Sequence, residues 1–314
     1  MPKINIICGD AIEELGKLDS NSVDLIIADP PYNLGKDYGN NHDLKNFDEY
    51  LEFTTLWLSQ AKRVLKKDGT IYVFMGVRFI SYLYAILERE LKLSFNSWIC
   101  WHYTQGLGKT KGFSPRHDDI LMFTKSKKFN FYLDNIRIPQ KYYRSRNNMR
   151  GANPGDVWLF SHVHYCNENR QKHPTQKPEG LIERMVLASS CENDFVVDPF
   201  SGSGTTLRVC QQLKRICLGI ELNPEYVENT NKRLAQKFTG FDSIDERMSR
   251  IPYDLNDEKT RNEYLRNHEK WFLNNHPNAL EKFYKEAKVK YDYDYNDTKV
   301  ETEMSLFSFM NEKI

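Results

Sequence analysis

The chain has no run of about eighteen apolar residues, so nothing in it reads as a helix able to cross a bilayer. It also lacks the charged and then apolar leader of an exported protein. Met1-Pro2-Lys3 leads straight into an apolar strand, and a cytoplasmic setting is expected. Cysteine is sparse, six in 314 residues, with no CxxC pair. Cys8, Cys100, Cys210 and Cys217 fall in apolar elements, which favours reduced, buried thiols over disulfides. His162-Val163-His164-Tyr165-Cys166 with His173 matches no standard ligand spacing, so no metal is expected. A regular GxGxxG is missing, which argues against a nicotinamide-dependent dehydrogenase. An excess of charge is missing too: the net value is +1, a poor signature for a nucleic-acid binder until it is resolved along the chain.

What is present is Asp29-Pro30-Pro31-Tyr32, placed directly after the apolar run Val23 to Ala28. Such a run, bounded by turn residues, reads as a buried strand of an α/β sheet, and the tetrapeptide then lies at the carboxyl edge where open parallel sheets bind ligands. Prolines have no N–H and a fixed φ, which leaves their carbonyls able to face a ligand in a set geometry. Asp29 adds an acceptor and Tyr32 a flat surface for stacking. Together they form a receptor for an aromatic amine, in which two acceptors drawing on one NH2 group would make its nitrogen more nucleophilic. The alternative is a strand that simply ends in a turn.

A second signal is Phe195-Val196-Val197-Asp198-Pro199-Phe200-Ser201-Gly202-Ser203-Gly204-Thr205-Thr206, an apolar strand running into a glycine loop and then a helix. Glycines let backbone amides approach a ligand, and a helix N-terminus favours an anion. Farther on, Arg215 to Glu221 reads as another strand ending in an acid, the usual place for a carboxylate that takes a ribose diol. The opening strand, Ile4 to Asp10, ends in an acid as well; Asp10 reads either as a ligand contact or as the N-cap of a helix over Ala11 to Leu18.

DPPY and DPFSGSGTT in that order, with His173-Pro174-Thr175-Gln176-Lys177-Pro178 just before the second, resemble the amino-methyltransferases of DNA in their circularly permuted, beta class. The resemblance covers residues 4 to 238. It implies an α/β fold with a doubly wound, mostly parallel seven-stranded sheet, a permuted Rossmann-like methyltransferase domain over 1–238. It implies S-adenosylmethionine as cofactor, double-stranded DNA as partner, and direct methyl transfer to an amine of a flipped-out base with no covalent enzyme intermediate. On this resemblance Asp29, Pro30, Pro31 and Tyr32 are catalytic. The cofactor is held by Asp10, Ala11, Asp29, His173, Thr175, Lys177, Asp198, Phe200, Ser201, Gly202, Ser203, Gly204, Thr205, Thr206, Glu221 and Asn223. Relatives whose motif begins with Asp mostly methylate adenine N6, whereas Ser marks cytosine N4, so adenine is favoured. A cognate restriction endonuclease and a homodimer are further partners that the family suggests. Phe113 to Asp118 is similar to a recurrent family segment, with Asp118 where many relatives carry Glu. An RNA methyltransferase with the same amine chemistry and a non-catalytic DNA-binding module are the competing classes.

Charge is unevenly spread: −3 over residues 1–100, +8 over 101–172, 0 over 173–238 and −4 over 239–314. Inside the basic segment, Lys141 to Arg150 interleaves aromatics with Arg and Asn, side chains that neutralise phosphates and read base edges. Its bland alternative is a solvated loop. Residues 126–172 fall where the family keeps its target-recognition region, so Lys141, Arg144, Arg146 and Arg150 are expected DNA contacts there, and Lys109, Lys111 and Arg116 are expected to help hold backbone phosphates. Helices are expected over Phe47 to Leu65 and Phe79 to Leu91, and strands over Thr70 to Met75, Ser97 to Tyr103 and Asp119 to Thr124. Residues 239–314 read as a helical C-terminal extension, with helical patterning over Lys259 to Phe272 and Asn278 to Val289. An acidic stretch follows at Tyr291 to Asp297, and Leu306 to Met310 is a candidate docking peptide.

Overall fold

Apolar strands and amphipathic helices alternate along the chain, and the computed structural model shows how they pair. It describes residues 3–35, 45–103, 108–138, 151–163, 171, 173 and 175–237. The chain divides into two units, 1–138 with 153–250 and 139–152 with 251–314; all described residues except Gly151 and Ala152 belong to the first. The extension over 239–314, and Lys141, Arg144, Arg146 and Arg150, lie outside the described residues.

The strands are β1 (Ile4–Cys8), β2 (Val23–Ala28), β3 (Leu65–Met75), β4 (Ser94–His102), β5 (His117–Thr124), β6 (Val157–Leu159), β7 (Phe195–Asp198) and β8 (Ile216–Glu221). They form one sheet in the order β1-β8-β7-β2-β3-β5-β4-β6. Among the described residues the expected seven strands are thus eight. The added strand, β6, joins the sheet at β4, and at three residues it is too short to show an alternating pattern. Strand β5 runs antiparallel to both its neighbours and every other pairing is parallel, so seven carboxyl ends and the amino end of β5 share one edge. The carboxyl halves of the central strands, Leu25–Ala28 and Ile71–Met75, are apolar and buried, as burial on both faces requires.

Helices α1 (Ala11–Gly16), α2 (Phe47–Val64), α3 (Ile80–Ala85), α4 (Glu179–Ser189), α5 (Thr205–Gln212) and α6 (Pro224–Leu234) cover the sheet. Helix α2 starts in a capping box, with the Asn46 side chain accepting from the Glu49 amide and Glu49 accepting from the Asn46 amide. It buries Tyr50, Trp57, Leu58, Ala61 and Val64 along one stripe. The helix stops at Val64 and the chain enters β3 at once; Lys66-Lys67-Asp68-Gly69, between the expected helix and the expected strand, is absorbed as an irregularity at the start of that strand. A π-helical turn, Ile86–Glu90, completes the helix expected to begin at Phe79. Of the four cysteines expected to be buried, Cys210 and Cys217 are, Cys100 is half-buried, and Cys8 is exposed because β1 is an edge strand. Among the described residues no helix is long and apolar enough to cross a membrane.

Helix α4 is buried at every position, including Glu179, and the burial of that charge is compensated. Glu179 Oε1 takes Arg233 Nη2 at 2.7 Å and Arg208 Nε at 3.1 Å, joining α4 to α5 and α6. Arg233 Nη1 donates in turn to the Ser203 carbonyl at 2.8 Å, which ties the glycine loop to the same cluster. Removing the shared anion leaves two buried guanidinium groups without it. Glu179→Ala should lower the unfolding free energy by about 3–5 kcal/mol, read as a drop in urea midpoint at constant m-value. A loss below about 1 kcal/mol would show that water reaches the cluster.

Candidate active site

The ends of β1, β8, β7 and β2 surround a cavity of about 380 Å³, within the range of small-molecule sites. Its walls carry the DPPY tetrapeptide Asp29 to Tyr32, together with Asp10, Ala11, His173, Thr175, Lys177, Asp198, Phe200, Ser201, Gly202, Ser203, Thr205, Thr206 and Glu221. Segments far apart in the chain thus converge on one space. Gly204 and Asn223 are set back from it: Gly204 begins α5, and Asn223 caps α6 by accepting from the Glu225 amide at 2.9 Å. Lys109, Lys111 and Arg116 lie outside the cavity, on the β4–β5 connection.

Asp10 turns out to fill the cap role as well as lining the cavity, its Oδ1 accepting from the Ile12 and Glu13 amides at 2.8 and 3.1 Å. At Gly202, φ is +50° and an added Cβ would stand 2.8 Å from His173 Nε2; at Gly204, φ is +73° and Thr230 would be met at 2.4 Å. Only glycine meets both demands without strain. The Gly202 amide donates to Glu221 Oε2 at 2.8 Å, and the Asn223 amide to Oε1 at 2.8 Å, so two backbone bonds fix the acid at the end of β8.

At the DPPY turn, Tyr32 Oη donates to Asp29 Oδ1 at 2.8 Å, and the Lys177 ammonium pairs with Asp29 Oδ2. That ammonium lies 5.5 Å from the Tyr32 ring centroid and 5.2 Å from that of Phe74, so one cation is shared by a carboxylate and two aromatic faces. The two proline carbonyls differ. Tyr50 Oη donates to the Pro31 carbonyl at 2.8 Å, whereas the Pro30 carbonyl has no donor among the described residues.

Sequence reasoning did not find Lys45, Phe53, Phe74, Ile182, Ile220, Leu222 and Tyr226, which also face the cavity. Phe74 lies in β3, next to the DPPY strand, and its place near the end of an apolar strand was the available signal. Lys177 was expected at the cofactor, and the geometry gives it a direct partner in Asp29 as well.

The cavity is acidic, with Asp10, Asp29, Asp198 and Glu221 set against Lys45 and Lys177. Burial pushes the Asp198 carboxyl up to about 7, helped by Asp29 and Glu221 and opposed by hydrogen bonds from Thr206 and the Phe200 amide. Burial also raises Glu221, against backbone N–H bonds from Asn223, Gly202 and Leu222. Carboxylates short of cations suit a positively charged ligand.

Comparison with known proteins agrees with this geometry. Residues 23–232 match the family model described as DNA methylase, of the N6/N4 methyltransferase type. The chain belongs to the DNA methylase family. This methylase is 63% identical over 287 residues to the type II methyltransferase M.HpaI of Haemophilus parainfluenzae, covering 91% of each chain. It is 36% identical over 242 residues to the DNA adenine methyltransferase YhdJ of Escherichia coli K12, covering 73% of this chain and 82% of that one. Among solved structures, the crystal structure of the M1.HpyAVI–SAM complex matches with a TM-score of 0.56 and 26% identity, over 74% of this chain and all of that one.

The site of the methylase yields two predictions. Asp198 is raised from an ordinary 3.8, so its stabilising contribution is complete below about pH 4 and is lost as pH rises through about 7. A bound cation favours the charged carboxylate, so affinity for a cationic cofactor should strengthen between about pH 6 and 8 with release of a proton. Calorimetry in buffers of different ionisation enthalpy measures that proton; Asp198→Asn should abolish it, and a pH-independent affinity would remove Asp198 from this role. Lys177→Met should lower methyl transfer by more than about tenfold, since it leaves a part-buried carboxylate without its cation, with cofactor affinity within about threefold. Lys177→Arg should restore part of the rate, and equal losses in rate and cofactor affinity would place Lys177 in the cofactor site alone.

Proposed function

We propose that this methylase transfers a methyl group from S-adenosylmethionine to the exocyclic N6 amine of adenine, at a specific site in double-stranded DNA, on a nucleotide flipped out of the helix. The observation that carries this reading is the DPPY turn: a carboxylate, a proline carbonyl with no donor among the described residues and an aromatic ring stand at the wall of an acidic cavity. The cavity suits the cofactor on three counts. Its volume is adequate, its carboxylates complement a sulfonium and an ammonium, and the turn at Ser201, Gly202 and Ser203 lines it. Asp10 and Glu221 would take the nucleoside, with Asp198, His173, Thr175 and the 200–206 loop around the remainder.

When bound, S-adenosylmethionine supplies an electrophilic methyl group. The chain's own work is to hold the amine. Asp29 and the Pro30 carbonyl would accept its two N–H bonds, Tyr32 would stack on the ring, and Phe74 and the rest of the apolar wall would exclude water. An amine inside a duplex is out of reach, so extrusion of the nucleotide precedes capture.

Adenine is favoured by the Asp that opens the motif and by the name of the Escherichia coli relative. Likeness along 91% of the chain to a type II methyltransferase supports a place beside a restriction endonuclease. Lys109, Lys111 and Arg116 would hold phosphates, and 126–172, with Lys141, Arg144, Arg146 and Arg150, would read sequence as an insertion in the 1–238 domain. The permuted order of the family motifs fits the chain, with the DPPY strand early and the cofactor loop late.

Asp29→Ala should abolish transfer while cofactor affinity stays within about tenfold, because the carboxylate acts on the amine. Mass spectrometry of nucleosides from treated DNA should show N6-methyladenine in the wild type and none in the variant. N4-methylcytosine would transfer the reading to the other amine, methylation of RNA alone would replace the substrate, and normal turnover in the variant would sink the role of Asp29.

A further inference from the structure

The β4–β5 connection carries an aromatic side chain with nothing beside it. Phe113 is 99% exposed, whereas the next most exposed large apolar side chains among the described residues, Val77 and Val157, reach 62%. The turn that holds it is nevertheless built. The Lys109 amide donates to Ser114 Oγ at 2.8 Å across its tip, and the Tyr103 amide donates to the Arg116 carbonyl at 3.0 Å at its base. Gly112, at φ +83°, precedes Phe113, and a Cβ there would meet nothing within 4 Å, so the tip stands clear of the body. Lys109 and Lys111 are exposed on the same turn.

Its position follows from the sheet. Strand β5 begins at the edge where β2 ends, with β3 between them, and at about 4.8 Å per strand it runs about 10 Å to the side of the DPPY strand. The connection therefore leaves the sheet beside the DPPY turn, at the edge where a duplex would deliver an extruded nucleotide. An apolar ring flanked by cations suits the gap that nucleotide leaves, since the cations hold phosphates and the ring replaces lost stacking.

We propose that Phe113 is a wedge that enters the base stack of duplex DNA and fills the space vacated by the target nucleotide. The inference rests on the reading of the protein as a base-flipping DNA methylase and deepens it. Phe113 acts before chemistry, by stabilising the extruded state, and its burial occurs only in the complex. A second copy of this chain is the rival occupant.

The test uses the full-length protein and a synthetic duplex containing the site found by sequencing methylated DNA. With 2-aminopurine at the target position, the wild type should brighten on binding and Phe113→Ala should not. Phe113→Ala should lose about ten- to a hundredfold in kcat/KM on the paired duplex, the extent set by the unstacking energy, and Phe113→Trp should retain most activity. Placing an abasic site opposite the target removes the pairing to be broken, and on that duplex the Ala variant should approach wild-type rates. Equal rates for wild type and Ala variant on the paired duplex would overturn the wedge, as would a loss that the abasic duplex does not relieve. A fall in sedimenting mass on Phe113→Ala would assign the ring to self-association instead and overturn it too. Absence of methyl transfer by the wild type on every duplex would defeat the underlying reading, a different result from any of these.

Discussion

The parallel pairing of β2 with β7, Leu25 against Val196 and Ile26 against Val197, is the constraint from which the site follows. Continuing that register sets Asp198 level with Ile27, two positions before Asp29 and on the same face of the sheet. Two acids separated by more than half the chain thereby become electrostatic neighbours, which is why Asp29 contributes to the elevated Asp198 carboxyl. Four fully buried apolar side chains hold that register, and a slip of one residue would turn the slipped strand's acid to the opposite face, away from the other. Catalytic geometry and core packing are therefore one problem in this fold.

Crowding carboxylates needs a counterweight, and the segment before α4 provides it from both sides of Pro178. Lys177 reaches the DPPY turn, while Glu179 reaches Arg208 and Arg233, and Arg233 holds the Ser203 carbonyl of the glycine loop. Thr205 Oγ1 also donates to the Lys177 carbonyl at 3.2 Å, so the two branches meet in the backbone. The short segment acts as a staple between the strand that would hold the base and the loop that would hold the cofactor. Its charges are balanced locally, which leaves Asp198, Glu221 and Asp10 as the unmatched acids facing the cavity.

Much of this was legible in the sequence because the informative residues sit at strand ends. Short, largely apolar runs that lead into Asp or Glu locate β1, β2, β7 and β8, and the edge they share is a consequence of parallel order. Hydrophobic periodicity likewise marked α2. What escaped was whatever depends on pairing across the fold. Strand β6 is too short to carry a pattern, and Lys66–Gly69 reads as a helix stop although it belongs to the start of β3. The partnership of Lys177 with Asp29 spans 148 positions, and no local feature of either announces the other. Asp10 could be read both ways and does both tasks, since one side chain can cap a helix and still face the space beyond it.

The one reversed strand among the described residues decides what else stands at the DPPY edge. Were β5 parallel to its neighbours, the chain would have to cross from the carboxyl edge to the opposite one before entering it, as parallel pairs require. Because β5 is antiparallel to both β3 and β4, the chain leaves β4 and enters β5 on the DPPY side, and Lys109, Lys111, Phe113 and Arg116 remain there. The most basic segment of a chain that is nearly neutral is thus launched from the edge where an extruded base would be captured. Overall charge conceals this, and the direction of one strand restores it: the sheet concentrates acids at the centre of this edge and cations at its flank, where a polyanion would be met.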